Sequence, residues 1–264
     1  MSASGAELPR TCDSLRADLG AIGVRSGDTL MVHCSLRRVG YVVGGAATLV
    51  RALQSVLGPR GTLVMPAETP QCADPAAWND ARVRSEWLPQ IREHLPVFDP
   101  ATTPTTMGAL AEAFRTFPGT RRSFHPLVSV CANGARAAEI TAVHSLEFCE
   151  GRGTPFEKLY DFDARILLLG VGFDRCTTLH YAESLTPGRR TSVSRYPLVV
   201  NGERRWVEKP DMASDHGAHF PEVGRRFVAD RRLTTGRIGG ADSWLFANRS
   251  LVDFAERYFR EVLR

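Results

Sequence analysis

The chain has 264 residues, of which 43% are hydrophobic and 23% charged, and its formal net charge is +4. This length suits one large domain or two small ones, and the apolar content excludes intrinsic disorder as the main state. No apolar run approaches the roughly 20 residues of a membrane-spanning helix, and residues 1–12 lack the basic-then-apolar order of a secretory signal. We therefore expect a cytoplasmic protein without a membrane partner, in which residues 1–12 form a flexible N-terminus.

The first half of the chain predicts a strand–loop–helix–strand unit. A short helix over residues 14–19 leads through a turn to a buried strand over 29–33. Helical periodicity over 46–57 ends at a Gly-Pro pair, and the next strand covers 62–65. This order of elements is typical of a parallel α/β sheet.

Residues 66–105 break this pattern. They are rich in Pro, Asp, Glu and Trp and show little periodicity. Because so long an insertion inside a compact domain is usually functional or mobile, we expect it to form a lid or a wall of the substrate site.

The second half of the chain predicts further helices and strands. The strand over 165–170 is the most apolar, so we expect it to lie centrally. The fold class that follows is α/β, a single domain over 13–264 whose central sheet is mixed, largely parallel and flanked by helices. The other predicted elements are helices over 108–117, 135–142, 178–185 and 251–263, a strand over 127–130, and a hairpin of 194–200 with 203–207 turning at Asn201-Gly202.

Nearly all of the positive charge comes from arginine, since only Lys158 and Lys209 are lysines. The planar arginine fork suits phosphate and carboxylate groups, so a phosphorylated cosubstrate and nucleic acid are both candidates. A genomic preference for arginine is the simplest explanation of most of this bias, and the even spread argues against a nucleic-acid surface. The six cysteines include no Cys-x-x-Cys pair, which favours free thiols over disulfides or a zinc site.

The loop after the first strand carries Ser35, Leu36, Arg37 and Arg38, followed by a glycine pair and a helix. In open α/β sheets ligands bind beyond the carboxyl ends of the strands, where hydroxyls, backbone amides and arginines bind anions. No G-x-G-x-x-G or Walker motif is present, so neither a dinucleotide nor a nucleoside triphosphate is indicated. An anion site and an ordinary surface loop both stay open.

His180 and Glu183 follow the most apolar strand and are three residues apart, so a helix places them on one face. A histidine beside a carboxylate is a general base with an orienting partner. The alternative is a helix surface with two polar neighbours. Cys176 lies four residues before the histidine and would be the nucleophile of a covalent mechanism, although cysteine is more often a packing residue.

Two further stretches contain candidate residues. Asp211, Asp215, His216 and His219 could ligate a metal, but they form no H-E-x-x-H pattern, and we expect no metal. The run 121–126 contains two arginines and a histidine and either contacts a phosphate or forms a capped turn.

Taken in order, these stretches resemble one known family, the aminoglycoside 3-N-acetyltransferases. Each motif alone is weak, but the ordered set is specific and covers nearly the whole chain from about residue 13. Residues 67–70 depart from the aromatic-containing family pattern, which affects the acceptor more than the chemistry. The motifs span residues 27–37, 44–45, 58–66, 107–110, 121–126, 153–155, 169–171, 177–183 and 237–241.

The resemblance implies an α/β architecture distinct from the GNAT fold. It implies transfer of an acetyl group from acetyl-CoA directly to the 3-amino group of an aminoglycoside antibiotic, without a metal. His180 would be the general base, Glu183 its partner or an amine-binding carboxylate, and Thr178 a contributor to the oxyanion site. The resemblance also implies residues that bind the pyrophosphate and pantetheine side of coenzyme A, namely Ser35, Leu36, Arg37, Arg38 and Arg121. The pantetheine channel would be lined by Thr106, Met107 and Gly108. The amine would be bound by Glu68, Asp174 and Glu183.

Two other functions stay open. An acyl-CoA transferase that acts on another amine in natural-product metabolism would use the same scaffold. A non-catalytic nucleotide- or nucleic-acid-binding protein would use the arginines instead. We expect coenzyme A and a small amine as partners, no nucleic acid, and a monomer or homodimer.

Overall fold

The computed structural model describes residues 8–213, 217–230 and 232–263. Its strands are β1 (Thr29–Cys34), β2 (Thr62–Pro66), β3 (Arg121–Arg122), β4 (Val130–Gly134), β5 (Arg165–Leu169), β6 (Thr191–Val200), β7 (Glu203–Met212), β8 (Thr234–Ile238) and β9 (Ala241–Ala247). Its helices are α1 (Cys12–Ile22), α2 (Leu36–Val39), α3 (Gly45–Leu57), α4 (Leu88–His94), α5 (Ala109–Arg115), α6 (Ala137–Thr141), α7 (Pro155–Asp161), α8 (Thr178–Ser184), α9 (Phe220–Ala229) and α10 (Asn248–Val262).

Seven strands form the main sheet in the order β3-β4-β2-β1-β5-β9-β8. β1 pairs in parallel with β2 and β5, and the outer pairings are antiparallel. The expected α/β class with a mixed central sheet is confirmed, with the parallel strands at its middle. β5, expected to be central, lies directly beside the middle strand β1.

Helices cover both faces of this sheet because alternate residues of a strand point to opposite sides. On β1, Leu30 and Val32 join a core with residues of α1, α3 and α5. Met31, between them, faces the other core, which is formed with residues of α6 to α10. β1 is therefore buried from Thr29 to His33, as expected of the middle strand of a sheet covered on both faces.

Residues 66–105 contain three short 3-10 turns and α4. The carboxylate of Asp74 forms ion pairs with Arg92 of α4 and Arg195 of β6, at 2.8 and 2.7 Å. Arg122 of β3 donates to three backbone carbonyls of this insertion, at 2.6, 2.8 and 3.3 Å. The insertion is thus held against the sheet edge and against the separate β6–β7 hairpin, which turns at Asn201-Gly202 as predicted.

Some elements differ from the sequence-based expectation. The strand expected over 127–130 begins later, at Val130, because the amides of Leu127 and Val128 donate to Nδ1 of His125 and turn the chain. The patterns did not predict β3, β8, β9, α7 or α9, which are short or of mixed polarity. Within residues 8–213, 217–230 and 232–263, no helix is long and apolar enough to cross a membrane.

Candidate functional site

A cavity of about 640 Å³ opens at the carboxyl ends of β1, β2 and β5. This is the edge of a parallel sheet at which ligands bind. Seven of the eight residues that the resemblance assigns to coenzyme A lie on its wall, and Arg121 does not. The seven are Ser35, Leu36, Arg37, Arg38, Thr106, Met107 and Gly108.

The chain crosses closely at this edge. The amide of Ser35 donates to the carbonyl of Leu169 at 2.9 Å, which ties the loop after β1 to the end of β5. Gly170 follows with a φ of 66°, and a Cβ there would lie 2.9 Å from the Cβ of Arg38. A glycine is therefore required for the loop that carries Arg38 to approach β5.

Three arginines, Arg37, Arg38 and Arg175, contribute to the cavity wall. Asp174, expected among the amine-binding carboxylates, lies on the same wall and pairs with Arg175 at 3.2 Å. The excess of guanidinium groups makes this cavity suited to phosphates.

Two residues at the end of β1, the buried His33 and the partly buried Cys34, also line the cavity. Burial lowers the pKa of His33 to about 4, so its ring is neutral at physiological pH. Burial raises the pKa of Cys34 to about 12, so its thiol keeps its proton. Nε2 of His33 is buried and has no hydrogen-bond partner among the described residues.

His180 and Glu183 lie on one face of α8, as their spacing predicts. Nδ1 of His180 lies 2.7 Å from Oε2 of Glu183, and the Glu183 side chain is only 2% exposed. The guanidinium of Arg189, itself 9% exposed, lies 3.8 Å from the same Oε2. The carboxylate therefore orients the imidazole and leaves Nε2 for chemistry.

Two further carboxylates, those of Glu68 and Glu150, act on His180. Burial lowers the pKa of His180, but Glu150, Glu183 and Glu68 outweigh it and raise that pKa to about 9. Burial raises the pKa of Glu150 to about 7 and raises that of Glu68 as well. We call the three glutamates and His180 the acid cluster.

Sequence reasoning missed Glu150. It lies in a loop between α6 and α7, and no motif or periodicity in the sequence distinguishes it from the other acidic residues of the loops. Oε1 of Glu68 and Oε1 of Glu183 are buried without a hydrogen-bond partner in the part of the chain that the structure describes. Such atoms are ready to accept from a cationic ligand.

The acid cluster adjoins the cavity through Glu68. Thr106 lines the cavity, and its amide donates to the carbonyl of Glu68 at 3.0 Å. Thr178 begins α8, and its buried Oγ1 is likewise unpartnered within residues 8–213, 217–230 and 232–263.

The remaining candidates lie elsewhere. Arg121 is exposed on β3. Burial raises the pKa of Cys176 to about 12, and its side chain packs in the core. Asp211 accepts hydrogen bonds from Cys149 and Ser194, whereas positions 215 and 216 lie outside the described residues. No group of three His, Cys, Asp or Glu side chains suited to a metal occurs in the described ranges.

Comparison with known proteins defines the class. The model of the aminoglycoside 3-N-acetyltransferase family matches residues 31–260. A relative from Bacillus subtilis, the prophage-derived aminoglycoside N(3')-acetyltransferase-like protein YokD, is 39% identical over 96% of this chain and 93% of its own. Aminoglycoside N(3)-acetyltransferase VII of Streptomyces paromomycinus is 37% identical over 97% of this chain and 93% of its own.

Solved structures agree. The crystal structure of YokD superposes with a TM-score of 0.93 at 38% identity, over 96% of this chain and 94% of that one. The binary complex of AAC-IIIb with CoASH superposes with a TM-score of 0.86 at 32% identity, over 97% of this chain and 98% of that one. Fold and site therefore define an acetyltransferase that uses acetyl-CoA. The chain belongs to the aminoglycoside 3-N-acetyltransferase family, and the family and fold predicted from its motifs are confirmed.

Proposed function

We propose that this protein transfers the acetyl group of acetyl-CoA directly to the 3-amino group of an aminoglycoside, with His180 as general base. The observation that carries the proposal is the 2.7 Å contact between His180 and Glu183 inside a cluster of three carboxylates, beside the arginine-lined cavity. We place the reaction in the cytoplasm, where acetyl-CoA is supplied and thiols stay reduced.

The acid cluster supports a polycationic acceptor. Glu68, Glu150 and Glu183 concentrate negative charge in a chain whose net charge is +4. Local carboxylates in a partly desolvated site attract ammonium groups more strongly than the distributed arginines repel them. Relatives support the same class, since AAC-VIa has been solved with sisomicin bound.

The geometry supports the following steps of the transfer. Nδ1–H of His180 donates to Glu183, so Nε2 removes the proton from the acceptor ammonium. The free amine attacks the thioester carbonyl, a C–N bond forms, and the oxyanion is stabilised by donors such as the Thr178 hydroxyl. Collapse breaks the C–S bond and releases coenzyme A as its thiolate. The nitrogen loses its second proton to water, which leaves a neutral amide, and the proton held by His180 is passed to the departing sulfur or to water.

Substrate charge prepares the base. Because the pKa of His180 is about 9 in the free protein, its ring is protonated at neutral pH. An acceptor ammonium bound to Glu68 or Glu150 neutralises the charges that raise this pKa and so lowers it. Binding of the polycation therefore converts His180 to the neutral form that the reaction needs.

The cavity supports the binding of coenzyme A. Arg37, Arg38 and Arg175 face a space that accommodates the phosphates, with the Ser35 hydroxyl close by. Met107 and Gly108 line the part next to Glu68, through which the pantetheine arm would reach the acid cluster.

The test is thiol release from acetyl-CoA with a panel of aminoglycosides. His180→Ala should lower acetyl transfer by about 100-fold or more, while coenzyme A binding measured by calorimetry stays unchanged. The same substitution at the exposed His94 is the matched control. Near-full turnover by His180→Ala would show that the base is another group.

A second candidate acceptor is favoured by one observation. Residues 67–70 lack the aromatic residue of the family pattern and lie directly after β2, next to the acid cluster. The panel should therefore include small diamines that are not aminoglycosides. Thiol release with these alone would establish an acyl-CoA transferase acting on another amine.

A further inference from the structure

Cys149, the residue before Glu150, is held at its amide, its carbonyl and its thiol. The amide and the thiol both donate to the carboxylate of Asp211, at 3.3 Å from the nitrogen and 3.1 Å from the sulfur. The carbonyl lies 2.8 Å from Nε2 of His144. Cys149 and Asp211 are only 5% and 8% exposed, so water does not compete for these bonds. The backbone directly before Glu150 therefore has little freedom.

The hydrogen bonds of His144 assign its tautomer. A carbonyl oxygen only accepts, so Nε2 carries the proton that is donated to Cys149. Nδ1 then accepts from the hydroxyl of Ser123, 2.8 Å away, and that oxygen accepts from the amide of Val130 at 2.9 Å. Burial lowers the pKa of His144 to about 4, so the ring stays neutral and the order of donors is unique.

The other end of this arrangement is anchored in the β6–β7 hairpin. Asp211 of β7 also accepts from the Ser194 hydroxyl at 2.8 Å and the Met212 amide at 2.9 Å. Burial, with Glu150 and Asp211 close by, raises the pKa of the Cys149 thiol well above its usual value, so the sulfur stays a donor. We call the four residues Ser123, His144, Cys149 and Asp211 the Cys149 clamp.

We infer that the Cys149 clamp positions the carboxylate of Glu150 against His180 and thereby sets the protonation state of this base. The inference rests on the proposed function for the role of His180. The clamp connects the sheet edge at β4 with the hairpin, and it fixes the loop between them at the residue that precedes Glu150. Its members act through Glu150 and are positioning residues.

Charged groups from several elements face this pair. Glu183 from its own helix and Glu68 from the segment after β2 act on His180 besides Glu150, while Arg189 contacts Glu183. From α9 the ring of Phe220 packs on His180, with centroids 4.7 Å apart, and contributes no charge. The same acids and Asp211 act on Glu150. Of the three glutamates, Glu150 is the one whose neighbouring backbone is held by the Cys149 clamp. Loss of the clamp should therefore change the contribution of Glu150 to the pKa of His180.

The test compares two substitutions of one residue. His144→Phe keeps a ring but removes the donor to Cys149, whereas His144→Gln keeps an N–H near the position of Nε2. We expect His144→Phe to lower the midpoint of the rising pH limb of kcat/KM for the acceptor by about 0.5 to 1 unit. We expect the midpoint in His144→Gln to lie close to that of the wild type. The KM for acetyl-CoA should change by less than about twofold in both, because the cavity is not touched. His94→Phe, at an exposed position of α4, is the control.

A double variant tests the route. Because the clamp acts through Glu150, His144→Phe combined with Glu150→Gln should show the limb of Glu150→Gln alone. An unchanged limb in the single His144→Phe variant, or an additive shift in the double variant, would overturn the inference.

Two measures keep the result decisive. If His144→Phe does not fold, Ser123→Ala is the alternative variant, because it removes the hydroxyl donor to Nδ1 of His144. It should lower the midpoint of the rising pH limb of kcat/KM by about 0.3 unit. An unshifted limb would again overturn the inference. NMR titration of the His180 ring reports its pKa without any acceptor. A failure to acetylate aminoglycosides would therefore leave this test intact, and a constant His180 pKa would refute the clamp alone.

Discussion

Replacement of Glu150 by glutamine should lower the pKa of His180. The substitution keeps the size of the side chain and removes a charge that ranks first among those raising this pKa. A lower pKa leaves more of the free enzyme with a neutral imidazole at neutral pH. We therefore expect the rising limb of kcat/KM for the acceptor to move to lower pH.

The magnitude follows from the electrostatics of the acid cluster. The pKa of His180 rises from 6.5 to about 9, a net stabilisation of the imidazolium by about 3 kcal/mol. Burial opposes this rise, so the three carboxylates together contribute more than the net value. Divided among the three carboxylates, the net rise together with the effect of burial that it overcomes predicts a fall of about 1 to 2 pKa units in Glu150→Gln.

The assay has two arms and a matched control. Thiol release measured from about pH 6 to 10 gives the limb of kcat/KM, and NMR titration gives the pKa of the ring itself. Glu147→Gln is the control, because this glutamate lies in the same loop but is exposed and pairs with Lys209 at 3.4 Å. Its limb should coincide with that of the wild type.

The reasoning would be refuted by a limb that moves by less than about 0.3 unit in Glu150→Gln while the protein stays folded. A shift to higher pH would be equally damaging, since loss of a negative charge cannot favour the imidazolium. Either result would mean that the pKa of His180 is set by Glu183 and Glu68 alone.

Three further variants test other parts of the structure. Arg37→Ala should raise the KM for acetyl-CoA about tenfold with little change in the KM for the acceptor, measured by steady-state thiol release; equal changes in both would contradict a phosphate contact. Gly170→Ala should lower the free energy of unfolding in urea by about 1 to 3 kcal/mol. The loss should exceed that of Gly188→Ala, which shares the positive φ but has no described atom within 4 Å of the added Cβ. Equal losses would mean that the close approach of Arg38 to residue 170 does not destabilise the variant. Asp74→Asn should lower the free energy of unfolding by about 1 to 3 kcal/mol, because it leaves Arg92 and Arg195 with a neutral partner. Unchanged unfolding in urea would show that the insertion is held by other contacts.

Local features of the site could be predicted from the sequence. Helical geometry places residues i and i+3 together regardless of the rest of the fold, and His180 indeed contacts Glu183. The cavity was predictable because the loops after parallel strands meet at one edge, so Ser35 and Met107 line the same space. The catalytic and binding roles of these residues stay predictions until they are measured.

Long-range features could not be predicted. Glu150 acts on His180 although the two residues lie far apart in the sequence, and no spacing or motif encodes that interaction. The start of β4 was misplaced for a related reason. The ring of His125 accepts from two amides that an extended strand would have turned toward its neighbour, and an apolar run of four residues does not reveal this.

The arginine bias that dominates the composition has separate uses in the fold. Arg122 binds backbone carbonyls of the insertion and lies over the ring of Phe98, so it serves structure, whereas Arg37 and Arg38 face the cavity. In the acid cluster, three glutamates act on His180, and Arg189 contacts one of them, Glu183. The sign of the charge thus changes between the cavity and the acid cluster. Under the proposed function, a phosphate-bearing cosubstrate and a polycationic acceptor would be attracted to different ends of one site and would meet where the thioester and the amine react.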